Sequence, residues 1–328
     1  MHRREFIALL GSASLVASGA VRAQMPAKIS RIAVVSPMGL MPAGNPYAKL
    51  LLDPLAGLGY RIGENLLFEG PSAPPGGAVP PEAIVAQLKD RKVDLIVAWG
   101  FPVVAAAKAA GIPTVVAFGV GDPVATGLVR NLAQPGGVVT GISDVATELS
   151  GKRLDLLKQL RPRLSRVAML WNKDDLGMSL RYEASAKAAQ AIGADVEAVG
   201  VREPDDFNEA FAVMDHEAPD AILMVSDSLT MLNRKRVFDY ASAHRLPAIY
   251  EFDSLVREGG LMSYGADLKE SFERVAAMVD RILKGASPGD LPFEQPTHYL
   301  FVINLKTAKS IGLEIPPTLL ALADEVIE

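Results

Sequence analysis

Polar and aromatic residues recur where apolar, β-branched runs end, and those positions carry what chemistry this chain has. They are Ser36, Trp99-Gly100-Phe101, Gly119-Val120-Gly121-Asp122, Trp171-Asn172, Ser226-Asp227-Ser228, Tyr250-Glu251-Phe252 and Tyr264. The chemistry is that of binding. Backbone N–H groups at helix starts hold a ligand carboxylate, and the rings stack on an aromatic or cover an apolar group. The expected ligand-binding set is Ser36, Trp99, Gly100, Phe101, Gly119, Val120, Asp122, Trp171, Asn172, Ser226, Asp227, Tyr250, Phe252 and Tyr264. Bland alternatives stand beside them. Asp122-Pro123 is explained by an N-cap followed by a first-turn proline, and Ser226 and Ser228 by capping of the next helix. Trp99, Phe101 and Trp171 also suit packing within or between lobes. Tyr250 and Tyr264, beside the expected hinge, lead the set.

Catalytic signals are poor. His216, His244 and His298 are scattered, without the spacing of a metal site. Gly151-Lys152-Arg153 lacks the upstream glycine of a phosphate loop. No cofactor or metal is implied, and a secreted enzyme is the least favoured class.

The elements that must position these residues centre on Gly111–Ser143. Ile112–Phe118 reads as a buried parallel strand, closed by Gly119 and Gly121. Asp122-Pro123 opens a helix, Gln134-Pro135-Gly136-Gly137 turns, and Val138–Ile142 is an exit strand. The carboxyl edge of such a sheet is where ligands sit. Upstream, Arg31–Val35, Leu66–Glu69 and Val93–Ala98 are further strands, with a Pro/Gly-rich loop over Gly70–Pro81.

The pattern then restarts. Arg166–Leu170 echoes Arg31–Val35, Pro219–Val225 echoes Val93–Val97, and Leu246–Tyr250 echoes Ile112–Val116. Helices are expected from a cap at Thr147, and over Leu180–Ile192, Asp206–Met214, Leu229–His244 and Leu268–Leu283, the last opened by an Asp267/Glu270 capping pattern. Strands alternating with helices imply α/β architecture with a parallel sheet in each of two Rossmann-like lobes. Val138–Ser143, Leu261–Gly265 and Tyr299–Ile303 are the candidate crossing strands. The expected lobes are 29–142 with about 265–297, and 143–264 with about 298–328.

Length suits two domains: 328 residues, 49% hydrophobic, formal charge −5. With no basic stripe, nucleic acid is not an expected partner. Met1–Ala23 reads as a secretory signal: Arg3-Arg4 before Phe6-Ile7 resembles the twin-arginine class, followed by a small-residue apolar core and Val21-Arg22-Ala23 for cleavage. Cleavage removes three arginines and one glutamate, lowering the formal charge from −5 to −7. The apolar run is shorter than the roughly 20 residues of a membrane span. The chain has no cysteine, so disulfides and a lipid-accepting cysteine are excluded. A soluble periplasmic monomer is expected.

In order along the chain, Gly121-Asp122-Pro123-Val124, Gly127-Leu128-Val129, Leu132–Gly137, Thr140-Gly141, Gly260–Gly265, Leu291-Pro292 with Gln295-Pro296, Asn304–Ala308, Gly312–Pro317 and Ala323–Ile327 form a long signature. It resembles the ABC-transporter substrate-binding proteins of the tryptophan/tyrosine label. The resemblance implies a type I periplasmic-binding fold with lobes joined by a hinge, closing on a small solute. It also implies docking on a membrane permease coupled to an ATPase. The expected solute is an amino acid, or an aromatic or other small carboxylate. A ligand sensor signalling to a membrane receptor is the alternative.

Overall fold

The computed structural model describes residues 29–70, 79–143 and 145–328. The expected secretory signal, with its paired arginines, and residues 71–78 of the Pro/Gly-rich loop lie outside the described residues.

The first sheet is built from β1 (Ser30–Ser36), β2 (Gly39–Leu40), β3 (Leu66–Glu69), β4 (Leu95–Trp99), β5 (Thr114–Phe118) and β6 (Val139–Gly141). Its parallel order is β3-β1-β4-β5-β6, with the short β2 antiparallel on the far end of β1. Helices α1 (Pro46–Gly57), α2 (Pro81–Asp90) and α3 (Phe101–Ala110) connect these strands. Ile32–Val35 and Leu95–Ala98 are wholly buried, the continuous apolar signature of parallel strands covered on both faces.

The second sheet takes β7 (Arg166–Asn172), β8 (Asp195–Val201), β9 (Ala221–Met224), β10 (Ala248–Tyr250), β11 (Met262–Ala266), β12 (Tyr299–Asn304) and β13 (Glu325–Ile327). Its order is β8-β7-β9-β10-β11-β12-β13, parallel except where β12 runs against β11. The first five positions repeat the order of the first sheet, so the duplication extends to topology. The helices are α4 (Ser150–Leu160), α5 (Leu176–Ala191), α6 (Asp206–Glu217), α7 (Ser228–Leu232), α8 (Arg234–Ala243) and α9 (Asp253–Arg257). Beyond them, α10 (Leu268–Leu283) returns to the first sheet, where Phe272, Val275 and Val279 join the core of Val97, Val115 and Leu51. Short helices α11 (Leu305–Ser310) and α12 (Pro317–Leu320) close the second sheet.

The chain passes between the sheets after β6, between β11 and α10, and between Glu294 and β12. Ser143 N–H donates to the Glu294 carbonyl at 2.8 Å, which lays two of these passages side by side. At the third, Glu270 accepts from Thr297 Oγ1 (2.7 Å) and from the N–H groups of Thr297 and His298 (3.2 Å each).

Several local expectations are corrected. Asp122-Pro123 opens a series of turns: Asp122 Oδ1 accepts from Val124 and Ala125 N–H, but the chain reverses at Gly127, φ +72°. Helix α4 begins at Ser150 without a side-chain cap, and Thr147 Oγ1 is buried without a partner. Asp267 does cap α10, yet Glu270 reaches across to Thr297 and His298 instead of back to the cap. The helix expected over Leu229–His244 is two, interrupted at Asn233. From Pro317 the chain makes a single helical turn, α12, before β13.

Candidate functional site

A cavity of about 180 Å³ lies between the carboxyl edges of the two sheets. Its first half is apolar and comes from the first unit. The loop after β1 supplies Pro37, Met38 and Met41, β4 ends in Trp99-Gly100, and β5 ends in Phe118-Gly119. Tyr47 joins them because Asn45 caps α1, accepting from Tyr47 N–H at 2.9 Å, with Pro46 at the first helical position. The rings interlock: Trp99 stacks on Phe118 at 4.9 Å and 16°, and Tyr47 meets Trp99 edge-on at 5.5 Å. Gly100 holds φ +80°, and a Cβ there would stand 2.7 Å from the Pro37 ring, so only glycine lets the loops approach here.

The second half comes from the second unit and sets polar groups beside Met231, Leu232 and Phe252. Asp227 caps α7 through Oδ1, which accepts from Leu229 and Thr230 N–H at 2.8 and 2.9 Å; Oδ2 accepts from Asn172 N–H at 2.8 Å. Asp175 caps α5 through Oδ1, bonded to Gly177 and Met178 N–H; among the described residues no hydrogen bond to Oδ2 is seen. Ser226 Oγ is buried without a partner among the described residues. Burial raises both aspartates, Asp175 to about 6 and Asp227 to about 7, against the N–H bonds that favour their ionised forms; the Asp175 charge adds to the rise of Asp227. At the rim, Arg234 and Glu258 pair with each other.

Glu251 sits behind Ser226 and accepts its N–H at 2.9 Å. Its carboxylate also meets Arg181 at 2.8 Å and Arg153 at 3.3 Å, all three side chains at most 2% exposed. Arg153 in turn donates to the carbonyls of Tyr264 (2.8 Å) and Ala146 (3.0 Å) on the crossing segments. The floor of the cavity is thus tied to the passages between the units. Contacts also span the units directly: Phe252 packs edge-on to Phe118 at 5.2 Å, and the Tyr47 and Ser254 hydroxyls are 3.4 Å apart.

A sequence model described as "ABC transporter substrate binding protein" matches residues 32–327. The chain belongs to that family. It is 26% identical over 258 residues to the tyrosine-binding protein of Clostridioides difficile, covering 78% of this chain and 73% of that one. Among solved structures it is similar to a conserved domain protein from Vibrio cholerae (26% identity, TM-score 0.83, 91% of this chain and 100% of that one). It is likewise similar to an ABC domain from Streptococcus pneumoniae in complex with L-Trp (26%, TM-score 0.78, 91% and 99%). Its two-sheet fold is that of type I periplasmic binding proteins.

Of the residues expected from sequence to touch the solute of this substrate-binding protein, the cavity gathers Trp99, Gly100, Gly119, Ser226, Asp227 and Phe252. The others stand elsewhere. The Ser36 hydroxyl is turned into the β1–β2 turn, accepting from Met38 N–H at 3.2 Å. Phe101 and Val120 pack in the core under α3, and Asp122 caps its turn. Trp171 stacks on Tyr182 at 4.3 Å within the second core. Asn172 supports the site through its N–H to Asp227. Tyr250 is 1% exposed and edge-on to Phe238 at 5.3 Å, while Tyr264 stacks on Tyr299 at 6.3 Å near the crossing. Sequence reasoning missed Tyr47, Met41, Phe118 and Asp175. The Asn45-Pro46 helix start was the available signal for Tyr47, and Asp175 reads as a cap two residues before Gly177.

Proposed function

We propose that this chain is the extracytoplasmic solute-binding component of an ABC importer. It captures one small amphipathic solute, with an aromatic or apolar body and an ammonium head, and presents it to a permease coupled to an ATPase. The observation that carries this reading is the division of the cavity. One unit brings Tyr47, Trp99, Phe118 and two methionines; the other lays Phe252, Met231 and Leu232 against them and alone brings two buried carboxyl groups, Asp175 and Asp227, with the Ser226 hydroxyl. A ring fits the first half. The acidic second half favours an ammonium group and disfavours a bare carboxylate, which narrows the solute towards aromatic amino acids and related amines. The names of the relatives, one tyrosine-binding and one solved with L-Trp, agree with this reading.

In the same reading the mature chain begins after the secretory signal and acts as a monomer in the periplasm. Residues 29–142 with about 265–297 form one jaw, and 143–264 with about 298–328 the other. Because the two halves of the cavity meet only when the jaws close, solute shifts an open–closed equilibrium towards the closed state. Thermal unfolding of residues 24–328 tests the assignment. L-Tyrosine, L-tryptophan and L-phenylalanine are compared with 3-(4-hydroxyphenyl)propionate and benzoate. An aromatic amino acid at a hundredfold excess over its dissociation constant is expected to stabilise the fold by about 2.7 kcal/mol. Stabilisation by the amine-free acids equal to that by the amino acids would refute the proposed head group.

A further inference from the structure

The two units touch at a point with no side chain on either side. Gly121 follows β5 in the first unit; Gly177 lies in the first turn of α5 in the second. A Cβ on Gly177 would stand 2.8 Å from both the carbonyl carbon and the oxygen of Val120, and 3.1 Å from Gly121 N. A Cβ on Gly121 would stand 2.9 Å from Gly177 Cα. Real Cβ atoms do not come this close, and the opposing atoms are backbone, which no rotamer change can move aside. Gly177 nonetheless has ordinary helical backbone; of the pair, only Gly121 (φ +68°) needs glycine for its own conformation. The absence of a side chain at Gly177 is therefore not required by α5. It is required by the contact with Val120.

We propose that Gly177 is a positioning residue for solute capture: its bare backbone lets the jaws reach the closed state that brings Asp175 beside the aromatic box. The inference rests on the closure reading above and adds which atom-scale contact limits it. Asp175 is two residues before Gly177 and donates no bulk to the contact, while Gly119 is two residues before Gly121; both line the cavity. A side chain at Gly177 would hold the strand-end loop of one sheet away from the helix start of the other, opening the cavity along its length. It would not disturb either unit alone, because alanine is more favourable than glycine in a helix.

Gly177→Ala in the mature chain tests this, with Gly151→Ala as control; that glycine lies in α4, where a Cβ would stand an ordinary 3.7 Å from Ala188 Cβ. The chain has no cysteine, so Lys49→Cys and Lys187→Cys, on exposed positions of α1 and α5, take a pair of spin labels. The distance distribution is read without solute and with L-tyrosine or L-tryptophan. Gly177→Ala is expected to keep or raise the unfolding temperature of the solute-free protein and to lose the short-distance population. Its apparent affinity should weaken by roughly tenfold or more, in proportion to the depopulated closed state. The control should behave as wild type. Short distances in Gly177→Ala as frequent as in wild type would overturn the proposal. The solute-free arm decides separately from the identity of the solute. If wild type ignores both amino acids, the solute assignment fails while the solute-free distances still judge the contact.

Discussion

Asp175 and Asp227 face the same cavity, both raised by burial, to about 6 and about 7. The sign of the consequence is fixed by linkage. A carboxyl whose folded-state value is raised stabilises the fold fully only below its unfolded value, near 4, and loses that contribution as pH climbs through 6 to 7. At neutral pH the solute-free protein therefore holds two carboxylates at a cost, which an ammonium group offsets. Affinity for an aromatic amino acid should rise between pH 5 and pH 8, measured by calorimetric titration. Asp175→Asn keeps a competent cap for α5, so it should leave the solute-free unfolding temperature unchanged or higher, weaken amino-acid binding by roughly tenfold or more, and flatten the pH profile. Unchanged affinity in that variant would remove Asp175 from the site. At this scale the sequence was only half legible. The strand-end rule located Trp99, Ser226, Asp227 and Phe252, but it does not say which way a side chain points. In β10, Ile249 enters one core and Tyr250 the opposite one, the two-residue alternation of a strand. Tyr250 thus faces α8 and not the cavity. Tyr47 and Met41 lie on a loop and a helix start, where no periodicity marks them.

At the level of elements, Glu251 is the junction between β10, α4 and α5, with Arg153 and Arg181 buried against it. Taking one charge out of such a cluster leaves the others buried and uncompensated. Glu251→Ala is expected to cost about 3–5 kcal/mol in chemical denaturation, and to loosen the Ser226 N–H that Glu251 holds. A loss below about 1 kcal/mol would mean the cluster adds little to the fold. The strands of both sheets were readable because buried parallel strands are continuous apolar runs. The exceptions are the short β2 and β13 and the edge strand β8, with exposed Asp195 and half-buried Glu197 in its first half, whose sequence Asp-Val-Glu-Ala-Val-Gly-Val has little of that character. Its counterpart β3 was read, but the duplication was not carried through to this strand. The turn after β5 misled for a different reason. Asp122-Pro123 is a sound helix start, but Gly127, four residues after Pro123, takes a left-handed conformation before a helix can form.

Across the whole molecule, the repeat of Arg31–Val35 as Arg166–Leu170 was enough to anticipate two sheets of like order, and the sheets share it over five strands each. The return of α10 to the first sheet is a long-range event that no local signal announces; only the amphipathic run from Leu268 to Ile282 shows that some core awaits it. The cavity that results has three of its rings, Tyr47, Trp99 and Phe118, on one unit, and Phe252 with the buried acids Asp175 and Asp227 on the other. Under the proposed closure, recognition would be separated in time: if solute docks first on the ring-bearing face of the open molecule, amino acids and their amine-free analogues should associate at similar rates. Only after the acidic face arrives does the head group matter, so the difference between them should appear in how long each stays. Stopped-flow fluorescence from Trp99, read against a Trp171→Phe background, should therefore find association rates within about threefold and dissociation rates that carry most of the selectivity.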